Sequence, residues 1–256
     1  RLSVFILPIA AKFILPSFKV VALISTFPPR ICALNSSVSI EEIMKSSGRF
    51  DANTFNMEAR AAREKIAQSC SPLHMLTSKT IVNKIFYPGR FKRNYVDKKH
   101  GEPFILPSQV TEIFPQANKW ISGLTDIQNF ELRAKKGEIL LTRSGTIGQC
   151  AIVGSELEGK VLSDDLIRIN VKPEYRGYIY AFIKSKTGQL LISTSNYGAV
   201  IKHIEPEHLS KIQFPLIPNF FVDEINKKIE LMSSLIDESN ALVLKARQNL
   251  IEELDL

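Results

Sequence analysis

Apolar positions along the C-terminal stretch of the chain repeat with the spacing of a coiled-coil helix. From Asn219 onward they recur at alternating three- and four-residue steps, with no Gly or Pro between them. This spacing places side chains on one face of an α-helix, and it holds for about four heptads. Roughly 35 helical residues at about 1.5 Å each predict a rod of about 50 Å. The positions are Val222, Ile225, Ile229, Met232, Ile236, Ser239, Val243, Ala246 and Leu250.

The predicted rod carries more apolar surface than a lone helix can cover. A second apolar line, Leu231, Leu235 and Leu242, runs beside the first. Within the chain only a helix predicted over residues 54–68 could pack on the rod, and it is less than half as long. We therefore predict that a partner helix is required. The predicted partner-helix interface comprises Val222, Ile225, Ile229, Met232, Ile236, Val243, Ala246 and Leu250.

A β-hairpin is predicted for residues 137–153. Two β-favouring apolar runs, residues 139–141 and 150–153, flank the break Ser144-Gly-Thr-Ile-Gly148. Apolar runs separated by a short Gly-containing break are typical of a hairpin.

The break in this hairpin has the residue types that bind a phosphate or a base edge. Gly145 and Gly148 can adopt positive φ without a Cβ penalty, which lets the turn present backbone N–H groups. Arg143 adds a cation, and Ser144 and Thr146 add hydroxyls. A plain surface hairpin with an incidental arginine remains an alternative.

The middle of the chain predicts a mixture of short strands, loops and helices. Residues 101–120 are punctuated by prolines, and residues 161–171 alternate as a strand does. A helix is predicted over residues 178–193, broken near Gly188, and a strand over residues 211–215. The fold class predicted is α+β, with a loop-rich mixed β body followed by the long helix.

Residues 84–99 are the most basic part of the chain. Six cations stand against the single acid Asp97, and four aromatic residues are interleaved with them. Cations neutralise phosphates, while aromatic rings and arginine planes can stack on bases. A basic strand pair whose aromatic side chains face the core is the alternative, and the two interpretations are compatible. The aromatic residues are Phe86, Tyr87, Phe91 and Tyr95.

Charge is distributed unevenly along the chain. The net charge is +7, but residues 219–256 hold eight acidic and four basic side chains, so residues 1–218 carry +11. A basic body suits a polyanion and an acidic rod suits a protein partner. Three separated cysteines without CxxC spacing predict neither disulfides nor a zinc cluster, so the default compartment is the reducing cytoplasm.

The apolar N-terminal residues 1–34 have no assigned role. Pro8, Lys12, Pro16 and Lys19 interrupt them, so the sequence has no uninterrupted apolar run of about 20 residues for a membrane helix.

Catalytic motifs are weak in this sequence. It contains no GxxxxGK[ST] phosphate loop and no methyltransferase loop, because Phe27-Pro-Pro-Arg30 lacks the flanking residues of one. Glu158-Gly-Lys160, with Asp126 or Glu138, could belong to a metal-dependent nuclease. Asp164 and Asp165 are interpreted as turn or capping residues rather than metal ligands. We predict no catalytic residue, no metal and no cofactor.

Several segments together resemble a known family. Gly137-Glu-Ile-Leu-Leu-Thr-Arg-Ser-Gly-Thr-Ile-Gly148 resembles the "GDIL…RSGTIG" hairpin of type I restriction–modification specificity (S) subunits. Tyr197-Gly-Ala-Val-Ile-Lys-His-Ile204 is similar to that family's "YGS…(I/L)" segment. Ile212-Gln-Phe-Pro215, followed by Glu224-Ile225, resembles its entry into a long helix, and Arg49-Phe-Asp-Ala52 resembles the start of a target-recognition domain. The resemblance covers residue 48 to the C-terminus.

The resemblance implies a non-catalytic, sequence-specific DNA-recognition subunit. It implies a DNA target-recognition domain over residues 48–217 and a helical spacer over residues 218–256, with residues 1–47 unassigned. Implied partners are double-stranded DNA, methyltransferase (modification) subunits and a restriction/translocase subunit. Family members commonly carry two recognition domains and two rods. One of each here implies a fragment, or a half-length subunit that pairs with a second half through the helix and reads one half of a bipartite site.

Combining the residues with the resemblance gives a set of candidate DNA contacts. Arg143 and Arg93 are the best candidates for guanine edges, where a bidentate fork provides roughly 1–3 kcal/mol of discrimination. A coiled-coil assembly protein without specific DNA binding is the main alternative, and the nuclease is a lesser one. The candidate contacts are Arg90, Lys92, Arg93, Tyr95, Arg143, Ser144, Gly145, Thr146, Gly148 and Lys202.

Overall fold

The computed structural model describes residues 38–45, 55–127, 131–195 and 203–254. The apolar segment 1–34, the lead-in 49–52 and Lys202 lie outside these ranges. The described helices are α1 (Ile40–Lys45), α2 (Met57–Ala67), α3 (Pro173–Lys184), α4 (Lys186–Thr194), α5 (Pro206–Leu209) and α6 (Asn219–Leu254). The described strands are β1 (Leu73–Met75), β2 (Val82–Phe86), β3 (Tyr95–Val96), β4 (Glu102–Ile105), β5 (Lys119–Ile121), β6 (Ile139–Thr142), β7 (Cys150–Ile152), β8 (Val161–Leu162), β9 (Leu166–Val171) and β10 (Gln213–Pro215).

The strands form two four-stranded sheets and one two-stranded sheet. The first sheet is antiparallel with the order β2-β9-β6-β7, and the second has the order β3-β5-β4-β8 with β4 and β8 parallel. The small sheet pairs β1 with β10. The predicted hairpin is confirmed as β6 and β7, with Leu141 opposite Cys150. Together with the long C-terminal helix, these sheets confirm the α+β fold class.

The central strands of the first sheet are buried on both faces. Ile139 and Leu141 of β6 enter a core that α3 and α4 cover, whereas Leu140 enters a second core that includes Ile105 and Leu162 from the other sheet. Side chains alternate between the two faces of a strand, so a strand covered on both sides needs a continuous apolar run. This explains the unbroken run in the sequence.

The strand predicted over residues 161–171 is two strands, because the chain changes sheet within it. β8 belongs to the second sheet and β9 to the first. Ser163, Asp164 and Asp165 make the connection, and all of them are buried or half-buried. The two aspartates therefore lie at the junction of the two sheets.

The N-terminal half of α6 packs on the body of its own chain, which corrects part of the predicted interface. Its neighbour is α3, which the sequence analysis did not consider. Gly177 makes this approach possible, because a Cβ there would lie 2.7 Å from the Cα of Asn226. The Asn226 amide accepts a hydrogen bond from the Tyr178 backbone N–H at 2.9 Å. The residues assigned to a partner helix that instead pack on or against the core are Val222, Ile225, Ile229 and Met232.

The remaining part of α6 contacts the body through isolated side chains, including Arg247, whose guanidinium carbon lies 5.1 Å from the Phe114 ring centroid. Ile236 is half-buried, and Asp237 accepts hydrogen bonds from the Ser155 backbone N–H and hydroxyl at 3.0 and 2.8 Å. Beyond Asn240 every described residue of the helix is exposed. The interface prediction therefore still applies to Val243, Ala246 and Leu250. None of the described helices is both long and apolar enough to span a membrane.

Candidate nucleic-acid interface

The basic segment of residues 84–99 joins the two large sheets. Its first part is the end of β2 in the first sheet, and its last part contains β3, at the edge of the second sheet. The segment is therefore not one strand pair, because its two strands belong to different sheets, but Tyr87 and Phe91 pack against the core as that alternative predicts. β3 pairs on one side with β5, which places Tyr95 opposite Ile121.

A group of exposed cations, called here the cation row, lies in this segment on both sides of β3 and on the neighbouring strand β5. None of its members forms an ion pair with a residue in the described ranges. Two aromatic rings lie among them, since the Lys119 Nζ is 5.0 Å from the Tyr95 ring centroid and the Lys98 Nζ is 6.0 Å from that of Trp120. Unpaired cations beside aromatic rings suit a nucleic-acid backbone and its bases. The cation row comprises Arg90, Lys92, Lys98, Lys99 and Lys119.

Arg93 lies in the same segment but has a different environment. Its guanidinium forms an ion pair with Asp164, and the Arg93 side chain is 34% exposed. The guanidinium carbon lies 5.7 Å from the Phe91 ring centroid and 5.8 Å from that of Phe104. Partial burial opposes the charge, but hydrogen bonds to Asp164 and Tyr95 outweigh it, so the pKa of Arg93 is raised. Arg93 is thus a charged donor held in a defined orientation.

Arg143, at the end of β6, is held more tightly still. Its Nε and one terminal nitrogen bond the two carboxylate oxygens of Glu205, and its other terminal nitrogen lies 3.4 Å from Asp165. The guanidinium carbon is 4.4 Å from the Tyr87 ring centroid. The hydrogen bond to Glu205 raises the pKa of Arg143, and the side chain is only 15% exposed. Contact between Arg143 and a guanine edge stays a prediction.

The glycines of the hairpin loop have two different roles. Gly145 has φ +68° and open space where a Cβ would lie, so this exposed position leaves the backbone accessible. Gly148 has φ +85° but is buried, and a Cβ there would lie 3.1 Å from Ile192 and 3.3 Å from Gln189. The structure corrects the role given to Gly148, because its missing side chain makes room for α4 rather than for a ligand.

The hydroxyl residues of this loop also differ. The Ser144 hydroxyl donates to Asp165, so it is already engaged within the chain. Thr146 is exposed, and its carbonyl accepts a hydrogen bond from the Thr142 hydroxyl. Of the predicted loop contacts, Gly145 and Thr146 are therefore the most accessible.

Consecutive aspartates bring the two predicted contact regions together. Asp164 binds Arg93 of the basic segment, and Asp165 binds Arg143 and Ser144 of the hairpin loop. Adjacent Cα atoms are about 3.8 Å apart, so two arginines 50 positions apart in the chain meet at one junction between the sheets. We call the set Arg93, Arg143, Asp164, Asp165 and Glu205 the arginine–carboxylate cluster.

The arginine–carboxylate cluster is not a positive patch. Two guanidiniums face three carboxylates, which gives a formal charge of −1. A phosphate gains little from such a site, whereas the neutral edge of a base can accept the N–H groups that remain. The cation row, in contrast, has no acid to balance it among the described residues.

The residues considered for a nuclease are used elsewhere. Lys160 pairs with Glu156 rather than joining Glu158. The Glu138 carboxylate is 3% exposed and pairs with Arg168 of β9. Within the described ranges, no group of three or more His, Cys, Asp or Glu side chains could hold a metal ion.

Sequence reasoning did not find the acidic half of the cluster. Asp164 and Asp165 were interpreted as turn residues, and Glu205 and Tyr87 were not proposed to act with Arg143. A usable signal was present, since a pair of adjacent acids precedes a strand that is otherwise apolar except for Arg168 and Asn170. Which arginines they bind depends on the pairing of distant strands, and no local spacing encodes that.

Comparisons with known proteins gave matches among solved structures only. No family model and no curated protein matches the chain. A crystal structure of a type I restriction–modification S subunit from M. genitalium is similar at 13% identity and TM-score 0.46, over 71% of this chain and 44% of that one. The HsdS subunit from Thermoanaerobacter tengcongensis is similar at 12% identity and TM-score 0.44, over 83% of this chain and 53% of that one.

A third similar structure describes complex assembly and conformational transition of the type I R–M system. It matches at 14% identity and TM-score 0.44, over 78% of this chain and 51% of that one. The chain thus spans about half the length of the solved chains it matches.

Proposed function

We propose that this protein is a sequence-specific DNA-recognition subunit of a type I restriction–modification complex, with no catalytic activity of its own. It directs methyltransferase subunits, and a restriction/translocase subunit, to one half of a bipartite site. The observation that carries the proposal is that Arg93 and the hairpin loop are joined through the consecutive residues Asp164 and Asp165, in a body whose cation row makes no ion pair within the described residues. The resemblance of residues 137–148 to the S-subunit hairpin supports the same function.

Two groups of basic residues have separate tasks in this proposal. The cation row binds phosphates, where each neutralised charge releases counterions and contributes affinity that salt weakens. Arg93 reads a base, because the carboxylate of Asp164 holds its guanidinium while part of the donor fork stays accessible. Gly145 and Thr146 lie at the exposed tip of the hairpin loop and contact the same duplex. Tyr95 stacks on a base or a sugar.

A second copy of the chain, or another half subunit, pairs with α6. The face of α6 turned away from the body carries Leu231, Leu235 and Leu242, which are 59%, 54% and 61% exposed. Together with Val243 and Leu250, which are 39% and 58% exposed, they form an exposed apolar stripe along α6. Antiparallel pairing of two such helices covers this stripe and places two recognition domains at a fixed separation.

The helix proposal is tested by replacing Leu235 with Glu and measuring mass by light scattering. The expected result is loss of the dimer at micromolar concentration with an unchanged circular-dichroism spectrum. Replacing Glu230, an exposed residue about 100° around the helix from Leu231, with Lys is the matched control and leaves the dimer intact. A wild-type monomer at all concentrations would contradict self-pairing and would leave a distinct half subunit as the partner.

The recognition proposal is tested by methylation. The purified chain is mixed with a modification subunit of the same system and random-sequence DNA, and methylated positions are mapped. Methylation at one bipartite motif is expected, and a palindromic motif would indicate two copies of this chain. The variant Arg93→Ala should change the motif at one position, whereas Arg60→Ala, on α2, should not.

Other outcomes point to the other functions. No stimulation by a folded chain, with DNA binding that does not depend on sequence, would favour a coiled-coil assembly protein. Magnesium-dependent cleavage by the pure chain that is lost in Lys160→Ala would favour the nuclease.

A further inference from the structure

The acidic members of the arginine–carboxylate cluster lie where a DNA-binding surface would not be expected to carry them. Asp164 is 8% exposed as a residue and forms the ion pair with Arg93. Asp165 and Glu205 together engage every guanidinium nitrogen of Arg143. Three carboxylates beside a polyanion repel it at close range, so their presence needs a reason.

A guanidinium without a carboxylate partner binds phosphate readily. Phosphates recur on every nucleotide, so a free arginine at a DNA surface finds one on any sequence. When a carboxylate already accepts N–H groups from the guanidinium, the arginine gains less free energy from contacting a phosphate. The carboxylate also fixes the direction of the remaining N–H groups, which is the requirement for reading a base edge.

The two arginines differ in what their carboxylates leave accessible. The Nε and the adjacent terminal nitrogen of Arg143 both bond Glu205, so its bidentate edge is occupied. Arg93 uses a single terminal nitrogen for Asp164 and is 34% exposed. Arg93 therefore keeps accessible N–H donors. Arg143 instead helps to hold Asp165 in place, and Asp165 also accepts a hydrogen bond from the Ser144 hydroxyl.

We propose that Asp164 and Asp165 are positioning residues for sequence specificity, which keep Arg93 and Arg143 away from the phosphate backbone. This inference rests on the proposed function. The two carboxylates lower binding to every sequence, but they lower it least for the sequence whose base accepts the N–H groups of Arg93. Specificity in this surface thus includes a repulsive element.

The test compares Asp164→Asn with wild type on two duplexes. One duplex carries the motif selected from a random pool, and the other has the same composition in scrambled order. Fluorescence anisotropy gives the Kd of each at several salt concentrations. The expected result is tighter binding of Asp164→Asn to the scrambled duplex, a cognate-to-scrambled ratio reduced about tenfold, and a salt slope steeper by about 0.9.

Matched variants separate this effect from simple loss of charge or of folding. Glu64→Gln removes a carboxylate from the ion pair with Arg60 on α2, 3.3 Å apart, and should change neither Kd. Asp165→Asn is the second cluster variant and should act in the same direction as Asp164→Asn. Thermal melting of each variant identifies any that fail to fold.

The outcomes are distinguishable. If both aspartate variants are folded and lose affinity for the two duplexes in parallel, or leave both unchanged, the positioning role is wrong while the recognition function stands. If wild type itself shows no preference between sequences, the proposed function fails, and the positioning role fails with it.

Discussion

The cation row and the arginine–carboxylate cluster are both rich in positive side chains, yet within the described residues only the cluster pairs them with carboxylates. The cation row is exposed and has no acidic partner among the described residues, so its charge is available to any polyanion. The cluster has a formal charge of −1, and its guanidiniums are oriented by carboxylates. The residue types alone would not distinguish the two regions. The difference lies in ion pairing, and we propose that pairing decides whether an arginine here contributes affinity or discrimination.

Burial extends this comparison to a third arginine. The Arg168 side chain is 1% exposed, that of Arg143 is 15% exposed and that of Arg93 is 34% exposed. All three are paired with carboxylates. Along this series the role changes from holding the fold, to holding the loop, to presenting donors outward.

The largest expected effect is at the buried end of the series. Replacing Arg168 with Met leaves the Glu138 carboxylate buried without its partner, and it also removes hydrogen bonds to the Glu131 and Arg133 carbonyls. We expect a loss of about 3–5 kcal/mol in the free energy of unfolding, measured by urea denaturation. Arg133→Met is the control, because its pair with Glu102 is about half exposed, and it should cost less than about 1 kcal/mol. Equal losses in the two variants would contradict the importance of burial.

The next effect separates the cluster from the cation row directly. Arg93→Ala should lower discrimination at one base position by about 1–3 kcal/mol, because it removes a directed donor. Binding to a random duplex should fall much less than binding to the motif, because Asp164 holds Arg93 away from phosphate and only the unbalanced charge of Asp164 is felt. Affinity is measured on duplexes that vary each base of the motif in turn. A loss that is uniform over all positions would make Arg93 a phosphate contact.

Arg90→Ala is the matched change in the cation row, with the same residue type in the same segment. It should weaken binding to all sequences alike and reduce the salt slope by about 0.9, because one phosphate contact is lost. Titrations at four or more salt concentrations measure the slope. Relaxed specificity without a change of slope would remove the distinction between the two regions.

The smallest effect is expected at a surface pair outside both regions. The hydrogen bond from Lys84 lowers the pKa of Glu131, so the pair adds stability above the ordinary pKa of a glutamate and loses it as pH falls through the lowered value. The Glu131 side chain is 45% exposed, so Glu131→Gln should cost less than about 1 kcal/mol at pH 7. Urea denaturation at pH 7 and in acid should show the two proteins converging at low pH. A constant difference would show that ionisation is not involved.

Local patterns predicted the hairpin and the long helix correctly, because each depends on residues close in sequence. The meeting of Arg93 with the hairpin loop could not be predicted, since it depends on β8 and β9 belonging to different sheets. The packing of α6 on α3 was missed for a related reason. The three- and four-residue spacing of apolar positions shows that one face of a helix is apolar. It does not show whether a partner or the rest of the same chain covers that face. Gly177, whose missing Cβ allows the contact, lies just outside the helix predicted over residues 178–193.

The most direct test of the central claim is selection of bound duplexes from a random-sequence pool by the purified chain, at physiological salt and with sequencing of the bound fraction. We predict one enriched motif, whose enrichment disappears at a single position in Arg93→Ala and persists with lower yield in Arg90→Ala. Retention of DNA without any enriched motif, by a folded wild-type chain, would contradict the claim that this surface reads sequence.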